Sequence, residues 1–162
     1  MKTPTMKSRS ALFFQMVIVL IGIGTLGWML WEPHLEGRNA HASPFEIYFK
    51  DPFLAYVYVG SIPFFVVLQR AFGLFGHVRR TGTFSPTTLE ALRTIKHCAM
   101  ALLGFVAGGV VFILIFGDRE DRPAGLFMSF LVAFAASVIG TAAATFGRHL
   151  QRALSRGEAR QA

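Results

Sequence analysis

The stretch His97–Gly117 reads HCAMALLGFVAGGVVFILIFG, which is 21 residues without Asp, Glu, Lys or Arg. About 20 mostly apolar residues in a helix cross the roughly 30 Å of hydrocarbon in a bilayer. Three more charge-free stretches, of 22, 18 and 25 residues, lie at Ser10–Trp31, Pro52–Gln69 and Pro123–Gly147. The four stretches hold 86 of the 162 residues. The sequence therefore predicts an all-α, multi-pass integral membrane protein with four transmembrane helices.

The composition favours the same class of protein. Hydrophobic residues make up 53% of the chain and charged residues 15%, whereas soluble domains average about 45–50% and about 25%. We expect one membrane domain at 11–154 between short tails at 1–10 and 155–162. Its four spans are expected at about 11–31, 52–74, 97–117 and 124–146. The connecting segments are too short for an added soluble domain, which rarely folds alone below about 40 residues.

Basic residues concentrate in three segments that four antiparallel spans would place on one side of the membrane. These twelve residues are Lys2, Lys7, Arg9, Arg70, Arg79, Arg80, Arg93, Lys96, Arg148, Arg152, Arg156 and Arg160. Only Arg38, Lys50, Arg119 and Arg122 fall in the segments predicted for the other side. Because cytoplasmic loops carry an excess of Lys and Arg, we expect both termini to be cytoplasmic.

The N-terminus also has features of a secretory signal peptide. Basic residues precede an apolar run there, and Ala40-His41-Ala42 offers a cleavage pattern of the A-x-A type. However, the apolar run is longer than the roughly 7–15 residues of a signal peptide, and the A-x-A pattern lies beyond a charged stretch. An uncleaved first span is therefore favoured.

Small residues in the last two spans predict where helices pack closely. Gly104 and Gly108 form a G-x-x-x-G motif, and Ala136, Gly140 and Ala144 recur every four residues. Small residues let helix backbones approach each other in lipid. We expect this packing between the third and fourth spans; a contact between two copies of the chain is the alternative.

Two further features concern the second span and the segment after it. Pro63 lies in mid-span, where the missing N–H is expected to kink the helix, as a static bend or as a hinge. Ser85 and Pro86 fit the N-cap and first residue of a helix. The apolar Leu92 and Ile95 follow at helical spacing, so we expect an amphipathic segment lying at the membrane interface and running into the third span.

No catalytic, cofactor-binding or metal-binding residue is predicted. No Asp, Glu or Lys lies inside a span, whereas transporters and pumps usually place ionisable residues in the membrane. The single cysteine, Cys98, excludes a disulfide within the chain. We therefore expect a protein that is not an enzyme and holds no cofactor.

The basic segments predict an interaction face on the cytoplasmic side. Its candidate residues are Arg79, Arg80, Arg93, Arg148 and Arg152. Such a face attracts anionic lipid headgroups, and a homo-oligomer or another membrane protein is a further partner. Nucleic acid is not expected, because no aromatic residues interleave the C-terminal arginines. We expect a structural or regulatory membrane component. The alternative is an oligomeric channel or transporter subunit lined by Gln15, Pro63 and the third-span glycines.

Several segments resemble a known family. They are SIPFF at Ser61–Phe65, FSP at Phe84–Pro86, ALRTIKHCA at Ala91–Ala99 and DRPAG at Asp121–Gly125. Together they resemble the domain-of-unknown-function family 2975, small bacterial membrane proteins, over roughly 51–154. The resemblance implies four helical spans in the bacterial cytoplasmic (inner) membrane. Because the family's activity is not established, it implies no catalytic or binding residue.

Overall fold

A computed structural model describes residues 8–35, 52–81, 85–117, 119–120 and 122–158. These residues form four α-helices and no strand: α1 (Ser8–Leu35), α2 (Pro52–Thr81), α3 (Pro86–Phe116) and α4 (Arg122–Glu158). All four helices are long and apolar enough to cross a membrane, which confirms the predicted all-α, four-span fold. Most of the N-terminal tail, the Ala40–Ala42 pattern and residues 159–162 lie outside the described residues.

Each helix packs against the next one along the chain, and consecutive helices run antiparallel. Near the start of α2, the Tyr58 hydroxyl donates a hydrogen bond to the Met29 carbonyl oxygen near the end of α1, at 2.6 Å. Phe53 at the start of α2 stacks on Phe112 near the end of α3, with ring centroids 5.2 Å apart. One end of the bundle therefore holds the start of α1, the end of α2, the start of α3 and the end of α4.

We call this the basic end because it holds most of the positive charge of the described residues. Its Lys and Arg residues are Arg9, Arg70, Arg79, Arg80, Arg93, Lys96, Arg148, Arg152 and Arg156. The opposite end has Arg119, Glu120 and Arg122 in the short connection from α3 to α4 and at the start of α4. The charge asymmetry noted in the sequence is thus a property of one end of the folded bundle.

Much of the helix surface consists of exposed apolar side chains. Phe13, Leu20, Phe116 and Phe130 are between 63% and 71% exposed. Large apolar side chains exposed in such numbers on every helix are typical of a surface that faces lipid. The interior of the spans is correspondingly small.

The contact between α3 and α4 is made through small residues. Ala136, Gly140, Ala143 and Gly147 share one face of α4, at alternating steps of four and three residues, and all but Gly140 are fully buried. This spacing is typical of left-handed helix packing. A Cβ on Gly140 would lie only 3.1 Å from the Cβ of Ala99 on α3. Close backbone approach therefore depends on the absence of large side chains along this face.

Three of the predicted packing residues lie elsewhere. Gly104 is exposed, and no heavy atom lies within 4 Å of the position of a Cβ there. Gly108 faces α2, where Tyr56 packs on it and donates its hydroxyl to the Phe105 carbonyl oxygen at 2.7 Å. Ala144 is half-buried beside the α4 face. Ala144 lies off the contact because the α4 face alternates between steps of four and three residues, whereas the sequence expectation used steps of four only. On α3, Ala99 meets Gly140, and Gly108 meets Tyr56 of α2 instead.

Three helices continue past their charge-free stretches at the basic end. We call these segments, 70–81 of α2, 86–96 of α3 and 148–158 of α4, the helix extensions. Each has 11 or 12 residues and is therefore about 16–18 Å long. They pack around a cluster of mostly large buried side chains. Its members are Val67, Leu74, Val78, Leu92, Ile95, Ala143 and Leu150.

The position of this cluster corrects one expectation from the sequence. Leu92 and Ile95 were expected to lie on the membrane interface, but both are buried against α2 and α4. An apolar stripe on a helix can cover either a membrane surface or another helix. Here α2 and α4 supply matching apolar faces, with Val78 and Leu150, so the stripe is buried within the bundle.

The two glycines of the G-x-x-x-G motif give a direct test of the α2–α3 contact. Gly108→Ala should place a methyl group on the Tyr56 hydroxyl and break its hydrogen bond, at a cost of about 1 kcal/mol of stability. Gly104→Ala is the matched control and should cost nothing, because the space around Gly104 is open. Thermal unfolding in detergent, followed by circular dichroism, measures both variants. Equal melting temperatures for the two would contradict the contact.

Candidate functional site

The five predicted arginines all lie exposed at the basic end, on three different helices. They are Arg79 and Arg80 on α2, Arg93 on α3, and Arg148 and Arg152 on α4. They are exposed because the other sides of the same helix extensions are buried in the cluster. The three extensions contain eight Lys or Arg residues and only two acids, Glu90 and Glu158. The structure thus brings the predicted residues to one end and presents them on packed helices.

A polar link fixes the end of α2 to the start of α3. The Nε2 of His77 and the Oγ of Ser85 lie 2.9 Å apart, and Ser85 Oγ is also 2.6 Å from the Thr87 hydroxyl. The backbone N–H of Ser85 donates to the Thr88 hydroxyl at 3.3 Å. Ser85 is the N-cap of α3 and Pro86 its first residue, which confirms the predicted helix start. Sequence reasoning missed the role of His77, because no local spacing rule connects it with Ser85.

An open groove of about 750 Å³ lies between α1 and α2 at the basic end. One part of its wall is apolar, with Met16 and Leu20 of α1 and Phe72 of α2. The other part, toward the tip of α2, holds His77, Arg79 and Arg80. The groove therefore combines an apolar surface with a concentrated positive charge at one end.

Gln15 lines the inner wall of this groove. Its side chain is 6% exposed, and Nε2 donates a hydrogen bond to the Phe72 carbonyl oxygen at 3.2 Å. A buried amide needs such a partner, most of all near hydrocarbon. Gly76 leaves room for it, since a Cβ there would lie 3.0 Å from Nε2. Gln15 is therefore part of the contact between α1 and α2.

Pro63 lies half-buried inside α2, which continues past it to Thr81. Because proline has no N–H, the carbonyl oxygen of Val59 lacks its usual helical donor. In the preceding turn, the Ser61 hydroxyl donates to the Tyr58 carbonyl oxygen at 2.7 Å. The kink expected at Pro63 stays a prediction.

Two observations concern the metal-binding and thiol side chains among the described residues. In this part of the chain, no group of three His, Cys, Asp or Glu side chains could hold a metal ion. Cys98 is half-buried and packs against the buried cluster. It acts there as a small apolar residue, which is a common role for a free cysteine.

The fold and the basic end define a class of small multi-pass membrane proteins with four helices. A family described as "Protein of unknown function (DUF2975)" matches residues 36–156, and the chain belongs to this family. An "Uncharacterized membrane protein YoaS" of Bacillus subtilis (strain 168) is 30% identical over 150 residues. The match covers 92% of this chain and 94% of that protein. No solved structure matches the chain.

The His77–Ser85 link predicts a local effect on the basic end. His77→Ala should remove it and cost about 1 kcal/mol, with faster hydrogen exchange at the end of α2 and the start of α3. His97→Ala is the matched control, because His97 is exposed. Hydrogen exchange followed by mass spectrometry compares the two variants. Unchanged exchange around Ser85 in the His77 variant would contradict the role of the link.

Proposed function

We propose that this membrane protein is a non-enzymatic structural or regulatory component of the bacterial inner membrane. It acts through the basic end, which binds anionic lipid headgroups on the cytoplasmic side. One observation carries the proposal: the five predicted arginines lie exposed on the helix extensions, around a packed cluster, at the end where each of these helices leaves its charge-free stretch.

The position of the arginines along the helices suits this role. About 20 residues of α2 cross the hydrocarbon from Pro52, so Phe72 lies near the inner edge. Arg79 and Arg80 follow about 11 Å further along the helix. Their long side chains reach back toward the headgroups, as arginines near the ends of spans commonly do. Each basic residue near an anionic surface contributes about 1 kcal/mol of attraction.

The alternative function, an oligomeric channel or transporter subunit, depended on polar or flexible residues lining a pore. Gln15 is the main polar side chain among them, and it is bonded to the Phe72 carbonyl oxygen and 6% exposed. The Gln15 amide is thus engaged in a contact between two helices of the same chain. This arrangement favours the proposal over the alternative.

The proposal is tested by the lipids that surround the protein. A variant with all five arginines replaced by glutamine should insert normally but lose several-fold in its enrichment of phosphatidylglycerol and cardiolipin over the bulk membrane. The physical reason is the loss of about 1 kcal/mol of attraction per residue. Extraction into polymer-bounded lipid discs, followed by mass spectrometry of the lipids, measures the enrichment.

Arg119→Gln, at the opposite end, is the control and should leave the lipid composition unchanged. An identical lipid composition around the wild-type protein and the five-fold variant would contradict the proposed function. An acidic protein that copurifies with the wild type but not with the variant would show that the ligand of the basic end is a protein and not lipid.

A further inference from the structure

We propose that the groove between α1 and α2 is a binding site for one anionic phospholipid of the cytoplasmic leaflet. An acyl chain lies along the apolar wall, and the phosphate lies at Arg79 and Arg80. The inference rests on the proposed function and deepens it, because it assigns one specific lipid to one groove within the basic end.

The position of the groove relative to the membrane fits this ligand. The Gln15–Phe72 hydrogen bond and the contact of Gly22 with Leu68 fix the register of α1 against α2. In that register, Leu20 faces α2 near position 69, so the groove runs about 16 Å along α2 from there to Arg80. Its inner part lies in the hydrocarbon and its outer part at the level of the headgroups.

The chemistry of the groove changes along the same direction. Met16, Leu20 and Phe72 give an apolar surface in the part of the groove nearer the spans. Arg79 and Arg80 follow toward the tip of α2, from where their long side chains reach back to the headgroups, and the fork of a guanidinium group matches phosphate oxygens. A phospholipid has the same order of groups, with apolar chains first and an anionic phosphate next.

Gly73 leaves space for the ligand because it has no side chain. No heavy atom lies within 4 Å of the position of a Cβ on Gly73, which lines the groove. The volume of about 750 Å³ lies within the roughly 300–1,000 Å³ that is typical of small-molecule sites. The side chain of a larger residue at 73 would therefore start in open space and extend into the groove.

The first arm of the test removes two positive charges from the basic end, either on α2 or on α4. Arg79→Gln with Arg80→Gln, and Arg148→Gln with Arg152→Gln, lose equal charge, but only the first pair lines the groove. Native mass spectrometry of the protein purified in mild detergent counts retained phosphatidylglycerol or cardiolipin. We expect one lipid per chain in the wild type, at least tenfold lower occupancy in the first pair, and a clearly smaller loss in the second, whose arginines attract lipid but do not line the groove.

The second arm fills the groove. Gly73→Leu should fold, since its side chain enters open space, and it should lose the bound lipid. Gly24→Leu on α1 is the matched control, because the space around Gly24 is also open and this residue lies outside the groove. Added phosphatidylglycerol should raise the melting temperature of the control and of the wild type, but not that of Gly73→Leu.

Equal loss of lipid from both arginine pairs, with no effect of Gly73→Leu, would overturn the specific site and leave the proposed function standing. No loss in either pair, together with unchanged surrounding lipid in the five-fold variant, would overturn both. Stabilisation by inorganic phosphate equal to that by phosphatidylglycerol would overturn a lipid as the ligand. A dimer that Gly73→Leu abolishes would identify a second copy of the chain as the occupant.

Discussion

Within a bilayer, burying an apolar side chain between helices gains little free energy, because lipid tails are as apolar as leucine. Helices within the spans are therefore held by close backbone approach and by hydrogen bonds to carbonyl oxygens. Gly140 against Ala99 is an example of the first, and Tyr56 bonded to the Phe105 carbonyl oxygen an example of the second. Beyond the hydrocarbon, water makes burial of large side chains favourable again. Most of the buried cluster, including Val78, Leu92 and Leu150, belongs to the helix extensions, whereas Val67 and Ala143 belong to the spans.

This change of packing connects the fold with the proposed function. Arginines on flexible tails would also attract anionic lipid, but they would not form a surface of fixed geometry. The helix extensions place theirs on three packed helices, with the His77–Ser85 link fixing α2 to α3. A fixed arrangement is what allows one lipid to be held in one groove, because preorganised groups lose less conformational freedom on binding.

The sequence predicted the features that depend on composition and on local chemistry. Charge-free apolar stretches of about 20 residues indicate spans, and Ser85 before Pro86 is a local signal for a helix start. Features that depend on which faces meet could not be predicted. Gly104 and Gly108 look equivalent in the sequence, yet only Gly108 lies against Tyr56. The apolar stripe with Leu92 fits a membrane surface and a helix bundle equally well until the faces of α2 and α4 are known. The α1–α2 groove was unpredicted for the same reason.

The central claim is that the helix extensions stand in water as a packed bundle beyond the hydrocarbon. Nitroxide labels on exposed positions of α4 test it most directly, introduced one at a time from Phe134→Cys to Ser155→Cys in a Cys98→Ala background and measured in bilayers. Collision with oxygen should dominate as far as about Phe146, and collision with a water-soluble nickel complex should dominate from Arg148 onward. Dominance of oxygen through Ser155 would place the extension of α4 inside the membrane and contradict the account.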